Sequence, residues 1–264
     1  MATTFNEPAV QVSSSGGAVL VRVLGPLAID GLGGPVTRAR TEELIAYLAL
    51  HPRGASTSQW TEAIWPERIM SQATIHSTAS AARRALGTSA RHGALLPHGR
   101  GRLRLSPAVT SDLQLLREAA TSPEPLSWWM ALDLVRGRPF EGLEQAAWPV
   151  AEGLLAEAEE LVAELALRAA EHSVDRGELS MAISALRSGV LSAPFDERLY
   201  RCWMTVADAS GNPAGAESAM RALAGTLGVE LADLEAVVHP MTWVTYQRLG
   251  QPVGRGHGRS TATL

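Results

Sequence analysis

Residues 56–86 read STSQWTEAIWPERIMSQATIHSTASAARRAL, and this stretch decides the fold. Ser56-Thr57-Ser58-Gln59 has the form of a capping box: the Ser56 oxygen can accept from the amide three residues on, while Gln59 reaches back. The helix it opens sets Trp60, Ala63 and Ile64 together, and Pro66 stops it. A further helix runs from about Gln72 to Leu86. There Ile75, Ala79, Ala82 and Leu86 recur at i, i+4, i+7 and i+11, which is one buried face. The remaining faces carry Thr74, His76, Ser77, Thr78, Ser80, Arg83 and Arg84.

The flanks complete a pattern. Upstream, residues 18–29 (AVLVRVLGPLAI) are β-branched and apolar, and Gly25-Pro26 divides them into two short strands. Residues 30–35 (DGLGGP) form a turn. Its glycines lack the following helix and acidic residue of a dinucleotide fingerprint, so a loop is expected, not a phosphate cradle. Residues 40–50 give a first helix, with Leu44, Ile45, Tyr47 and Leu48 at helical spacing and acids in its first turn. Downstream, Arg100-Gly101-Arg102-Leu103-Arg104-Leu105 alternates basic and apolar, as a two-stranded ribbon with one face in the core would. Short strands, three helices and a basic hairpin are the layout of a winged helix-turn-helix. A major groove about 12 Å wide admits one such helix, and the hairpin lies beside it.

Charge follows the same division. The net charge is −4, yet residues 1–110 hold eleven arginines against six acids and residues 111–264 hold twelve against twenty-one. The acid-free run from Arg68 to Ser111 carries seven arginines. One-sided charge of this kind suits a surface that meets phosphates, although a solvated basic face is the plain alternative. All 23 basic residues are arginine, a bias that GC-rich coding explains.

From Ser111 the composition turns to Leu, Ala and Glu. Ser111 to Gln114 repeats the S-x-x-Q box and opens a helix. Breaks at residues 121–125 and 138–142 follow, then a long helical pattern from Trp148 to Gly177. Segments 178–193, 195–211, 213–228 and 232–250 read as helices of about fifteen residues, stacked as in tetratricopeptide-type arrays. Residues 1–17 read as a flexible lead-in and 251–264 as a disordered tail.

Several function classes drop out. A lone Cys202 excludes a disulfide framework and a cysteine-based zinc site, and it reads as a small buried hydrophobe. His92 and His98 have no carboxylate beside them, so no metal is expected. The seven tryptophans are expected to pack in cores. No hydrolase, zincin or Walker motif is present, so neither catalysis nor a cofactor is expected. No apolar run of about 18 residues exists to span a membrane.

Together these segments resemble the SARP-type family of bacterial transcriptional activators, in which an OmpR-like winged helix precedes an all-helical activator domain. The matching stretches include VRVLGPLAIDG (21–31), LIAYLALHPRGASTSQWTEAIWP (44–66), ARRALG (82–87), ALDLVRGRPFEG (131–142), DRGELSMAISALRSGVLSAPFDERLYRCWM (175–204) and ASGNPAGAESAMRALAGTLG (209–228). The helical half is similar especially to activator domains at the C-terminal end of larger proteins, which leaves the chain open to being part of a longer one. The family's closing V-S-R-L-R-R pattern reads Ala79-Ser80-Ala81-Ala82-Arg83-Arg84 here, with Ala81 in place of a basic residue.

The resemblance implies a mainly α protein: a winged helix-turn-helix over residues 18–110 and a tetratricopeptide-like activator domain over 111–250. It implies a cytoplasmic DNA-binding regulator, with double-stranded DNA and RNA polymerase as partners and a homodimer as its form. Arg83 and Arg84 correspond to the family's closing pair and are expected on phosphates. Thr74, Ser77, Thr78 and Ala81 are the candidates for base edges, and Arg100 or Arg102 for the wing contact. The alternative is a protein-interaction or ligand-sensing module whose winged helix has lost DNA.

Overall fold

The structure is a computed structural model, and it describes residues 18–99 and 101–250. Strands β1 (Val19–Arg22) and β2 (Ala28–Asp30) are followed by α1 (Ala39–Leu50), β3 (Ala55–Ser56), α2 (Thr57–Ile64) and α3 (Gln72–Leu86). Then come β4 (Thr88–Ser89), β5 (Gly93–Ala94), β6 (Arg102–Leu103) and β7 (Val109–Ser111). The rest is helical: α4 (Asp112–Thr121), α5 (Pro125–Leu132), α6 (Trp148–Ala151), α7 (Leu154–Asp175), α8 (Leu179–Ser192), α9 (Glu197–Ala209), α10 (Pro213–Leu227), a 3-10 turn (Leu231–Ala236) and α11 (Pro240–Gly250). The chain is mainly α, with its short strands confined to the N-terminal part.

Packing divides the described residues into two units. The first holds 18–23, Leu27–Asp112 and Gln145–Trp148; the second holds Leu24–Pro26, Leu113–Glu144 and 149–250. Each unit therefore takes a short segment from the far side of the chain.

In the first unit β1 is the middle strand of three. It pairs antiparallel with β2 (Val21 opposite Ile29) and parallel with β7 (Val19 opposite Val109). Asp112, fully buried, accepts the Val23 amide on both carboxylate oxygens at 2.8 and 3.0 Å. The core is built from Val21 and Val23, from Leu44, Ile45 and Leu48 of α1, and from Trp60 and Ile64 of α2, all buried. The capping box at Ser56 and Gln59 forms in both directions. α3 begins and ends where the spacing placed it, and Ile75, Ala79, Ala82 and Leu86 are all buried.

Glu43 is buried in this core. It holds Arg40 Nη1 at 2.5 Å and accepts from Trp148 Nε1 at 3.3 Å, and the Trp148 ring stands edge-on to Tyr47 at 5.2 Å. Burial pushes the Glu43 carboxyl above the usual carboxylate range, and the hydrogen bonds and charge of Arg40 and the Trp148 donor only partly offset it. A carboxyl whose folded pKa is raised binds its proton more tightly when folded, so it costs stability as pH rises from the unfolded value through the folded one. Glu43→Gln removes that cost and keeps an acceptor for Trp148. Its urea midpoint at pH 7 is expected to equal or exceed that of the parent, with the gap narrowing as pH falls toward about 4.5, the ordinary value of the group, and closed below it. A midpoint well below the parent's at pH 7 contradicts this.

Three sequence expectations are corrected here. Among the described residues, the alternating stretch after Arg100 forms no hairpin with a neighbouring strand. β6 instead joins β3 between the first two helices (Leu103 opposite Ala55), while β4 and β5 form a separate two-residue ladder. The long helical pattern after Trp148 breaks because Gly153 takes a left-handed φ of +74°, which starts α7 afresh. The last pattern divides into the 3-10 turn and α11 at Pro240, which lacks an amide to continue a helix.

In the second unit successive helices α7 to α10 pack on one another in a tetratricopeptide-like array. Gly189 of α8 lets this happen: a Cβ there would come within 2.7 Å of Leu199 and 2.8 Å of Ala166. Trp128 lies under the Arg168 guanidinium at 4.4 Å, and Arg168 donates to the Ala120 carbonyl at 2.9 Å, which ties α4 and α5 to α7. Cys202 is half-buried. Burial first, and the Glu171 carboxylate second, push its thiol up, which disfavours the thiolate.

Candidate nucleic-acid interface

α3 is bounded by chemistry that its sequence supplies. Ser71 at the N-cap accepts the Thr74 amide at 3.2 Å, and Gly87 closes the other end at φ +72°, its amide on the Arg83 carbonyl at 2.9 Å. Fifteen residues make a rod of about 22 Å.

Its buried stripe has a mirror. Ala73, Ser77, Ser80 and Arg84 recur at the same i, i+4, i+7, i+11 spacing, two residues out of phase with Ile75, Ala79, Ala82 and Leu86. Two residues turn a helix by about 200°, so this second stripe lies opposite the core. Ala73, Ser77 and Arg84 are exposed and Ser80 is half-buried. Arg84 Nη1 donates to Ser80 Oγ at 3.1 Å, which holds the guanidinium along this face. His76 is exposed on its flank.

The candidate residues distribute unevenly against this frame. Ser77 is exposed, and its hydroxyl donates to the Thr74 carbonyl at 3.0 Å, leaving oxygen lone pairs outward. Thr74 is half-buried at the edge of the face, with Oγ1 at 3.0 Å from Ser71 Oγ. Thr78 does not face outward. It is 6% exposed, its Oγ1 donates to the Thr74 carbonyl at 3.0 Å, and its position falls within the buried stripe, so it is unavailable to a base edge. Ala81 is half-buried. Arg84 is exposed, whereas Arg83 sits at the margin of the core, its Nε shielded from solvent without a hydrogen-bond partner among the described residues.

Arg102 of β6 and Arg104 just after it are exposed, and Leu103 between them is buried. Arg104 is committed to the Pro52 carbonyl at 3.0 Å, which leaves Arg102 as the free basic side chain of this strand; no hydrogen bond or ion pair joins it to α3 among the described residues. Arg100 lies outside the described residues. The sequence named Thr74, Thr78 and Ala81 beside Ser77 for base edges, placed Ser80 on an outer face without a role, and passed over Ala73. The second stripe was legible, because the same period shifted by two finds it.

No group of three or more histidine, cysteine or acidic side chains that could hold a metal occurs among the described residues, and no described helix is long and apolar enough to cross a membrane.

Residues 104–236 match the family model of the bacterial transcriptional activator domain, just over half of the 264 residues. The chain belongs to the bacterial transcriptional activator domain family. This bears out the resemblance read from the sequence. The matched span starts at Arg104 and stops before α11, so the activator domain proper lies downstream of α3. The fold is also similar to a solved structure of Mycobacterium tuberculosis EmbR in complex with a low affinity phosphopeptide. The TM-score is 0.56 at 24% identity, over 89% of this activator-domain chain and 66% of the EmbR chain. The chain thus spans just under two thirds of that protein's length. No curated protein matches it.

Proposed function

We propose that this chain is a DNA-binding transcriptional activator whose first unit grips duplex DNA and whose helical unit makes dimer and polymerase contacts. In this reading residues 18–110 are the DNA-binding module and 111–250 the activator domain, working in the cytoplasm. The outward stripe of α3 carries the proposal. It presents small and hydroxyl side chains at the centre and Arg84 at its C-terminal end, within a run that holds seven arginines and no acid. Short side chains let a helix approach base edges closely, and an arginine at the end of the rod can reach a flanking phosphate. Ser77 is the base-edge candidate, Thr74 flanks it, and Arg84 and Arg102 are the phosphate contacts. Arg83, at the core margin, supports the end of the helix. Family membership supports the activator role.

An electrophoretic mobility shift of the full chain on genomic DNA fragments tests this. Retardation at low salt that fades as salt rises is expected, since each phosphate contact exchanges for released counterions. Absence of any retardation at low salt contradicts it.

One observation favours a second reading, a ligand-sensing module. Leu115, Ala119, Met130, Ala131 and Leu134 line a cavity of about 400 Å³ between α4 and α5, with Glu118, Ser122 and Ser127 also on its walls. That is within the range of small-molecule sites. If α3 has no DNA, this cavity is the working site.

A further inference from the structure

α1 begins without a side-chain cap. Its N-cap residue is Arg38, extended at φ −134° and ψ 123°, whose side chain accepts no hydrogen bond from the first turn. The Thr41 amide turns back to the Arg38 carbonyl at 2.8 Å. The amides of Ala39 and Arg40 have no intrahelical acceptor, as for any helix start, and no other acceptor among the described residues. The positive end of a twelve-residue helix is thus left open.

A cavity of about 270 Å³ meets that turn at Thr41. Its walls are the 34–37 loop and Thr41 on one side, and Ala81, Arg84 and Ala85 of α3 on the other. The loop is pinned to α3 by the Gly34 amide on the Ala85 carbonyl at 3.1 Å. A Cβ on Gly33 would come within 3.2 Å of the Leu86 carbonyl, so the loop runs close against the end of α3. Thr41 is 3% exposed, and its hydroxyl has no hydrogen-bond partner among the described residues. A buried threonine on a helix ordinarily returns its hydroxyl to the carbonyl four residues back; an orphan one costs stability. Arg84 brings a permanent positive charge to the wall. Glu42 is half-buried in the same first turn, and Glu43 beside it is engaged by Arg40 and Trp148.

We propose that this cavity is a phosphate site, in which the Thr41 hydroxyl, the opening amides of α1 and Arg84 hold one phosphate oxyanion. Helix N-termini bind anions through free amides and the dipole, and here a hydroxyl donor and a guanidinium stand at the same place. The phosphate comes either from a backbone diester of bound DNA or from a free phosphate-bearing molecule. The DNA source rests on the function proposed above. The free source does not.

Two variants test the site without threatening the fold. Thr41→Val removes an unsatisfied buried oxygen, so its stability is expected to equal or exceed the parent's. Ala39→Pro removes one opening amide at the first helical position, where proline is tolerated and where extended Arg38 suits a following proline. The full chain is titrated with inorganic phosphate while the amide resonances of Ala39, Arg40 and Thr41 are followed by NMR. Saturable shifts at these amides are expected, weakened about tenfold in either variant, the loss of roughly one charge-assisted hydrogen bond. Shifts that do not saturate, or that both variants leave unchanged, overturn the site. Affinity for duplex DNA is then measured for the same proteins. A drop in both variants assigns the site to a backbone phosphate; unchanged DNA affinity beside weakened phosphate binding assigns it to a free phosphate-bearing ligand. A chain that binds no DNA but passes the phosphate titration leaves the site standing while the proposed function fails.

Discussion

Trp148→Ala is expected to destabilise the first unit by about 3–5 kcal/mol, the usual cost of emptying a buried aromatic site. Trp148 is 3% exposed and comes from a segment more than thirty residues past β7, yet it fills a place against α1. Its ring meets Tyr47 edge-on, an arrangement that adds to simple burial, and its indole N–H satisfies Glu43. Truncation removes all three contributions at once. It leaves the Glu43 carboxyl, already disfavoured by burial, with Arg40 alone. Trp148→Phe separates the parts: it keeps most of the apolar contact and loses only the hydrogen bond, so about 1 kcal/mol is expected. Urea denaturation followed by circular dichroism measures both. A Trp148→Ala cost below about 1 kcal/mol, the range of ordinary surface changes, contradicts the reading of Trp148 as a core residue of this unit. The same reasoning applies to a chain cut after residue 110, which lacks Trp148 and is expected to unfold at lower urea than the first unit does in the full chain.

Arg84→Glu is expected to weaken DNA binding by one to two orders of magnitude, far more than Arg83→Glu. The two arginines are adjacent in sequence and a helical turn sends them different ways. Arg84 lies on the outward stripe and Arg83 at the core margin. Reversal at Arg84 loses one phosphate contact and adds a repelled charge near the backbone; each is worth on the order of 1 kcal/mol. Arg84 also lines the cavity beside Thr41, so a backbone phosphate seated there would feel the reversal twice over. Fluorescence anisotropy on a labelled duplex measures the effect. Equal losses from the two reversals would falsify the assignment of α3's outward face, because a nonspecific change in net charge treats both arginines alike.

Much of the first unit was legible because its boundaries are local. Ser71 and Gly87 bracket α3, Ser56 and Gln59 cap α2, and the apolar spacing of Ile75 to Leu86 states which side is buried. What was not legible depends on partners far along the chain. The β3–β6 pairing joins residues nearly fifty apart through two-residue strands, too short to carry an alternating pattern of their own. Nothing local marks Trp148 as belonging with α1. Other errors were readable and misread. Gly153 and Pro240 stand inside helical patterns and break them for the ordinary reasons. Thr78 carries a hydroxyl and was placed outward by its chemistry, although its angle on the helix wheel falls among Ile75, Ala82 and Ala85. Polar identity misled there, and position decided. At the candidate site, Arg84 and Ser77 were named from sequence, and both side chains are exposed on α3. The orphan hydroxyl of Thr41 could not be, since it reads as one more polar residue in the first turn of a helix.

The measurement that bears most directly on DNA contact by this face is the salt dependence of duplex binding for the parent and for Arg84→Ala. The phosphate contacts assigned to Arg84 and Arg102 predict a log–log slope of roughly −1.8 or steeper for the parent, and loss of one contact makes the Arg84→Ala slope shallower by about 0.9. A parent slope near zero, or identical slopes for the two proteins, contradicts a DNA interface on the outward stripe of α3.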